Sequence, residues 1–415
     1  MVEILDLIFF SLLGVMVGIG MGLLPGMHIN NVIPLILSFS MFFPSSYNLV
    51  VFIISVAITQ IFISYIPSIF LGAPDENTSL SVLPGHRLLL EGNGYEAIKL
   101  TIIGGIGSLL ISLIIIAVLA NTFSYLYEMS RPYVQYLIIA VVIFMVVSEK
   151  KLRNILSAIL IIFLSGIFGV IVLGSTIVKS ENVLFPVLSG MFGLSTIIIS
   201  INERSKIPEQ KKDFELKITK WKLIKSCFLG SIAGIIVGFL PAIGVSQAGT
   251  MVQYIGGMGE SRSFLVTLAG INLSNEAFSL ISLFLVNNPR SGASVAIQKI
   301  LTQLTLYDVL LLVGVICFVS GIAALLTMFF GRKIPNFLAK LNYKYLSISV
   351  ISFVLIMIFL LTGIYGLLIV FTSTSIGLLC GFLEIRRSHC MGVLLIPSIL
   401  FFSGLNGTVL SILGI

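Results

Sequence analysis

The chain has 415 residues, of which 57% are hydrophobic and only 10% charged, against roughly 25% charged in a soluble domain. Apolar runs long enough to span a bilayer recur along it and do not alternate. This excludes a soluble enzyme and a β-barrel and makes it an all-α polytopic protein of the cell membrane, multi-pass, with the lipid bilayer as partner. The net charge of +7 does not signal nucleic acid, because Lys and Arg gather in a few short loops, as the positive-inside rule describes.

In chain order, the first half opens on an apolar segment, 4–38, interrupted at Leu24-Pro25-Gly26. It lacks a basic leader region and a small-residue cleavage site, so it is read as mature sequence. A spanning helix is predicted at about 48–71, followed by a stretch at 72–97 too polar to face lipid. Helices at about 98–120, 133–147 and 154–175 come next, and a Gly/Pro-containing segment at 183–199 closes the half. The second half repeats the order: a broken segment at 223–255, a helix at about 264–286, a polar stretch at 287–299, helices at about 306–330, 346–362 and 365–383, and a closing segment at 391–402 with Pro397 placed like Pro186.

The repetition extends to single residues. At an offset of 216, Gly14, Gly18, Gly22 and Pro25 fall on Gly230, Gly234, Gly238 and Pro241. At an offset of 215, Thr59-Gln60 falls on Ser274-Asn275, and Pro74 on Pro289. A duplicated, interrupted hydrophobic segment is the best pointer in a sequence to a transporter's binding site.

Basic residues set the topology. Loop 148–153 holds three, 203–225 holds eight, 331–344 holds four, and Arg386-Arg387 add two, so these should face the cytoplasm. Equivalent loops of the two halves carry opposite charge character, which predicts repeats inverted in the membrane. The expected organisation is a first membrane repeat over 1–202, a basic cytoplasmic linker over 203–222 and a second membrane repeat over 223–415. It has about ten crossings plus re-entrant loops, and each opening broken segment folds back as a helical hairpin.

Three polar clusters carry the candidate site. The first is Pro25, Gly26, His28, Asn30 and Asn31, mirrored by Pro241, Gly244, Ser246 and Gln247. Pro removes a backbone donor and Gly admits unusual dihedrals, so the helix breaks and its free ends can hold ions. The second is 72–79, with Asp75 and Glu76 as proton or Na⁺ ligands, mirrored by 287–292 with Asn288, Arg290 and Ser291. The planar fork of Arg290 suits a carboxylate or phosphate. The third is Asn272, Ser274, Asn275 and Glu276 inside an apolar run, with Gln60 and Ser64 on the matching helix. A carboxylate at membrane depth is expensive unless paired or functional; Glu276 is read either as an ion-coupling ligand or as a structural partner of Arg290.

No catalytic residues and no metal site are read from the sequence. His28, His86 and His389 are too dispersed for a metal, no Walker motif is present, and Cys227, Cys317, Cys380 and Cys390 are read as small core hydrophobes. No cofactor is expected beyond Na⁺ or H⁺ as coupling ion.

At these residues the chain resembles the large membrane subunit of the tripartite tricarboxylate transporters, the TctA-like family, in a divergent branch of archaeal type. The resemblance rests on the glycine-spaced stretch ending in Leu24-Pro25-Gly26, on Leu240-Pro241, on Ser274-Asn275-Glu276-Ala277, on Asn288-Pro289-Arg290-Ser291-Gly292, and on 386–392 with Pro397. It departs at Ala242, at His28-Ile29-Asn30, around Asn275, and at Asn288-Pro289-Arg290. The resemblance implies ion-gradient-driven uptake of a carboxylate, a small membrane subunit, and an extracytoplasmic binding protein as partners. The residues and the resemblance together predict a secondary transporter, not an enzyme, for a small organic anion. The alternatives are a translocase for a polyprenyl-phosphate lipid carrier and, lower, a membrane enzyme on a lipid-linked substrate, with Glu276 and His28 as its pair.

Overall fold

The computed structural model describes residues 4–24, 29–74, 77–149, 151–202, 208, 210–211, 216–239, 244–257, 260–287, 289, 291–301, 303–338 and 343–413. The described chain is helical. The first half runs through α1 (Ile4–Leu23), α2 (Ile29–Ser38), α3 (Ser46–Ile63), α4 (Tyr65–Leu71), a 3₁₀ turn at Ser79–Ser81, α5 (Val82–Leu90), α6 (Gly94–Ser130), α7 (Val134–Val147), α8 (Leu152–Gly174), α9 (Ser180–Leu188), a π-helical turn at Ser189–Leu194 and α10 (Ser195–Asn202). The second half runs through α11 (Lys220–Phe239), α12 (Val245–Ile255), α13 (Ser261–Val286), α14 (Gly292–Ile300), α15 (Leu306–Leu338), α16 (Tyr343–Phe382), a 3₁₀ segment at Arg387–Met391, α17 (Gly392–Phe402) and α18 (Asn406–Leu413). Among the described residues, nine helices are long and apolar enough to cross a membrane, or ten with the bent pair at 387–402 and 406–412.

One boundary differs from the sequence reading and another agrees with it, each in an informative way. α6 does not stop near 120 but runs to Ser130, because nothing in 121–130 breaks a helix until Pro132 disfavours helical dihedrals just before it. α16 is interrupted where the uncharged Thr362–Tyr365 turn was expected: Gly363 (φ 66°, ψ −158°) lies outside helical space and separates 343–362 from 364–382.

The glycine rows explain how the helices pack. A Cβ added to Gly18 would lie 2.7 Å from Thr59 Cβ and 2.8 Å from the Val56 carbonyl oxygen. Gly14 meets Phe52 and Ser55, and Gly22 meets Gln60 and Ile63. In the second half Gly230 meets Thr267 and Gly270, Gly234 meets Ile271 and Ser274, and Gly238 meets Asn275 and Phe278. Each of these partners lies 215 residues beyond its first-half counterpart. Small residues every fourth position let two backbones touch, which in lipid is where helix association finds its van der Waals gain.

Residue numbers rise together along both seams, so α1 runs parallel to α3 and α11 parallel to α13. Two consecutive long helices can be parallel only if the chain between them returns. α2 and α12 lie in the stretches of chain between the paired helices. The far ends also match. α4 ends on Gly72 (φ 65°) and α13 on Asn287 (φ 49°), both left-handed, 215 residues apart. Glycine and asparagine are the residues that tolerate this conformation, and Pro74 and Pro289 follow two positions later.

Contacts between the halves are exchanged in pairs. α3 packs on α15 and α14, while α13 packs on α6 and α5. α2 packs on α14, and α12 on the Ser79–Ser81 turn. α8 packs on α17, and α16 packs on α9, the π turn and α10. The halves are therefore interleaved. α15 serves as a ruler across them. At its start, Asp308 accepts a hydrogen bond from Tyr47 at the start of α3, at 2.6 Å. Near its other end, Gly331 packs on Ile98 at the start of α6. One turn away in α6, Glu96 forms a two-pronged pair with Arg262 at the start of α13, at 2.8 and 2.9 Å. Between Asp308 and Gly331 a helix rises about 35 Å, so α3 and α13 begin at opposite ends of it.

The basic stretches gather at the α13 end. Lys217 of the linker donates its backbone N–H to Glu96 at 3.0 Å, and Gly331 lies beside Ile98. Glu149 of the 148–153 loop meets His389 at 3.0 Å and Arg386 at 3.9 Å. Arg87, Ser261 and Arg386 line one cavity that joins these two groups.

Gly18→Leu and Gly234→Leu should each destabilise the purified protein by about 1–3 kcal/mol through overpacking, read as a lower melting temperature. Gly20→Ala, whose new methyl would meet nothing within 4 Å, should leave it unchanged or slightly higher. Glu96→Ala strands the half-enclosed Arg262 charge and should cost about 3–5 kcal/mol. Removing Glu260, whose 2.7 Å pair with Lys222 is exposed, should cost under about 1 kcal/mol.

Candidate substrate site

The helices that follow the two breaks start in the protein interior. Ile29, the first residue of α2, is buried and donates its backbone N–H to Oε1 of Gln60 at 3.2 Å. Gly244, in extended geometry at the start of α12, donates its N–H to Oε1 of Gln247 at 2.6 Å. In each case a Gln amide oxygen covers one of the donors that a helix start leaves open. Gln60 is drawn from α3, whereas Gln247 folds back within its own first turn, as in half of a capping box.

The polar stretch after α4 turns inward. Ser68 Oγ donates to the Thr78 carbonyl at 3.1 Å and meets Ser81 Oγ at 2.8 Å, all buried. Ser79 Oγ reaches Ser246 Oγ at 3.0 Å, 167 positions away in sequence. The turn after α4 in the first half thus touches α12 of the second. Gly193, in the π turn, lies against Gly72 and Pro74, so an irregular turn of the kind frequent at functional sites backs this segment.

The corresponding stretch of the second half starts α14. Ser291 caps that helix, accepting from the Ser294 N–H at 3.1 Å. Its hydroxyl donates to Glu276 Oε1 at 2.8 Å, and Ser294 Oγ lies 3.1 Å from Ser279 Oγ. Glu276 and Asn275 are half-buried, so the carboxylate stands at the edge of the packed interior with a hydroxyl already on it.

On α3 and α13, Thr59 Oγ1, Ser274 Oγ and both side-chain heteroatoms of Asn272 are among the buried polar atoms without hydrogen-bond partners among the described residues. Thr59 and Ser274 occupy matched seam positions on α3 and α13 and are fully buried. Buried polar atoms are almost always satisfied, so this row has unused capacity for a polar guest.

The predicted site residues divide accordingly. Gln60, Gly244, Ser246, Gln247, Asn275, Glu276 and Ser291 have the positions given above. Asn30 and Asn31 lie in the first turn of α2. Pro25, Gly26, His28, Asp75, Glu76, Pro241, Asn288 and Arg290 lie outside the described residues. Among the described residues, no three His, Cys, Asp or Glu side chains converge as a metal site. Ser79 closes the second polar cluster, 72–79, whereas Arg387 was missed by the sequence reading. Arg387, taken with Arg386 as part of a cytoplasmic loop, is buried. The signal for this was its setting, a short polar interval with apolar residues close on both sides. Cys380 and Cys390 are core residues as expected, but the fold brings their sulfurs to 3.5 Å.

The tripartite tricarboxylate transporter TctA family matches this chain over residues 8–392. The chain belongs to that family. It is 33% identical over 407 residues to the uncharacterized protein MJ1079 of Methanocaldococcus jannaschii, an alignment covering 95% of this chain and 98% of the relative. No solved structure matches it. TctA membership makes it an integral membrane component of a transport system, in keeping with its many apolar spans.

If the Ser79–Ser246 contact joins the two halves, Ser79→Ala and Ser246→Ala should each cost about 1 kcal/mol. The double variant should cost less than the sum of the two, the mark of a direct interaction in a double-mutant cycle.

Proposed function

We propose that this chain is the membrane subunit of a secondary transporter for a small carboxylate, coupled to H⁺ or Na⁺ and built from two inverted repeats, 1–202 and 223–415, joined by a basic cytoplasmic linker. The observation that carries the reading is the exchange at the breaks: α2 packs on α14 of the other half, and α12 reaches the first-half turn through Ser79 and Ser246. A guest held there is enclosed by both halves, and rocking one against the other would expose it to alternate sides.

Inversion is supported by the starts of α3 and α13 at opposite ends of α15, and the repeat by the matching seams and left-handed caps. Gathering of the basic stretches at one end supports placing that end in the cytoplasm. In this reading the substrate carboxylate lies near the starts of α2 and α12, where helix N-termini favour negative charge. The substrate ligands are Pro25, Gly26, His28, Asn30, Asn31, Gln60, Pro241, Gly244, Ser246, Gln247, Asn275, Asn288 and Ser291, with Arg290 as counter-charge. Glu276, with Asp75 and Glu76, binds the coupling ion. The unsatisfied Thr59, Asn272 and Ser274 atoms support a cation or water beside the seams. The tripartite family supports a small membrane subunit and an extracytoplasmic binding protein as partners.

Melting of the purified protein with citrate, succinate or an isoprenoid phosphate, with and without Na⁺ and at two pH values, tests this. A ligand at a hundred times its Kd stabilises the folded state by about 2.7 kcal/mol. Citrate or succinate should raise the melting temperature in an ion-dependent way, and Glu276→Gln should abolish the ion dependence while the protein stays folded. Stabilisation by the isoprenoid phosphate alone would replace this reading with the lipid-carrier translocase. Ion dependence unchanged in Glu276→Gln would remove that residue from the coupling role.

A further inference from the structure

A cavity of about 360 Å³ opens at the basic end of the molecule, lined by residues of both halves, Ser79 and Arg87 from the first and Gln253, Arg386, Arg387 and Ser388 from the second among them. Its three arginines are graded by depth. The Arg87 side chain is 74% exposed and has Glu91 at 3.4 Å. The Arg386 side chain is 54% exposed, 3.9 Å from Glu149, and lies over the Tyr254 ring at 5.4 Å. Arg387 is only 9% exposed. It donates to Thr196 Oγ1, and no carboxylate stands within ion-pair distance of it among the described residues. Glu149 is already engaged by His389 and Arg386.

Among the described residues this guanidinium has one neutral acceptor and no carboxylate, which leaves most of its five donors and its charge without a protein partner there, a setting that favours an anion joining it. The same cavity reaches Ser79, whose hydroxyl touches Ser246 at 3.0 Å. It therefore abuts the break at the start of α12. Its volume lies in the range of small-molecule sites, roughly 300–1,000 Å³.

We propose that this cavity is a second anion site of the carrier, at its basic end. One carboxylate of a di- or tricarboxylate sits on the Arg387 guanidinium, and another is held at the mouth by Arg386 and Arg87. The site rests on the transporter reading and places a waiting position for the transported anion between the midplane breaks and the cytoplasm. Its rim arginines, partly neutralised and exposed, draw the anion in or let it go. The deep one supplies planar, two-pronged recognition.

The test uses the purified full-length protein, with citrate as probe and inorganic phosphate as comparison, read by titration and by melting temperature. Arg387→Gln should weaken citrate binding at least tenfold, and Arg387→Lys should recover part of it. Lys151→Gln, an exposed cation at the same end but outside the cavity, should bind citrate like the parent. Because the Arg387 charge has no carboxylate partner among the described residues, Arg387→Gln should melt no lower than the parent without citrate. A merely structural arginine would give the reverse, lower melting with citrate affinity retained. Should Arg387→Gln not fold, Arg386→Gln, on the exposed rim, should weaken citrate several-fold, and undiminished affinity there would overturn the proposal. Equal citrate affinity in Arg387→Gln and the parent overturns the site and leaves the transporter reading standing. Absence of stabilisation of the parent by any carboxylate overturns the transporter reading and this one with it. Phosphate binding as tight as citrate overturns the assignment to carboxylates.

Discussion

Direct backbone contact between α1 and α3, and again between α11 and α13, is the constraint on which the rest of this molecule depends. In lipid, apolar side chains gain little by leaving an equally apolar solvent, so close packing must hold helices together. Three glycines at four-residue spacing provide it in each half, with neighbouring backbone atoms where any Cβ would stand. Because the seams are parallel, the chain between the paired helices must come back through the protein. That return is what places the starts of α2 and α12 inside the bundle. A polar, interrupted backbone is tolerated at such depth only when protein or a cavity surrounds it.

The polar interior follows from that return. Ile29 and Gly244 need acceptors and find them in Gln60 and Gln247. The segments after α4 and α13 are knit by serine hydroxyls, Ser68 with Ser81 and Ser279 with Ser294, which bring polarity inside without adding charge. Three charged settings differ in energetic character. Glu96 and Arg262 neutralise each other where the linker meets the bundle. Glu276 is held at the edge of the interior by Ser291. Arg387 is enclosed with no carboxylate at ion-pair distance among the described residues. The first is a structural pairing of the two halves.

Much of this was legible residue by residue. The glycine spacing, the Pro/Gly breaks, the Thr59-Gln60 and Ser274-Asn275 correspondence and the Gly363 turn are local patterns, and local patterns survive in one dimension. The end of α6 was misplaced because polarity after Ala120 suggested a loop, whereas a helix ends where its backbone is obstructed, here before Pro132. Arg386 and Arg387 are neighbours of identical type, and no periodicity separates them. One lies toward solvent beside Glu149 and the other is enclosed near Thr196, a distinction set by what packs over the 3₁₀ segment.

The sequence by itself determined that the chain crosses a membrane many times and which family it resembles, because hydropathy and short motifs act through near neighbours and the bilayer. Only the tertiary structure decided that the halves interleave and that Ser79 meets Ser246. It alone also decided that side-chain polar atoms of Thr59, Asn272 and Ser274 find no hydrogen-bond partner among the described residues and that Arg387 is buried and lines a basic cavity. These are relations between residues separated by tens to hundreds of positions. They exist only once the parallel seams have folded the chain back on itself.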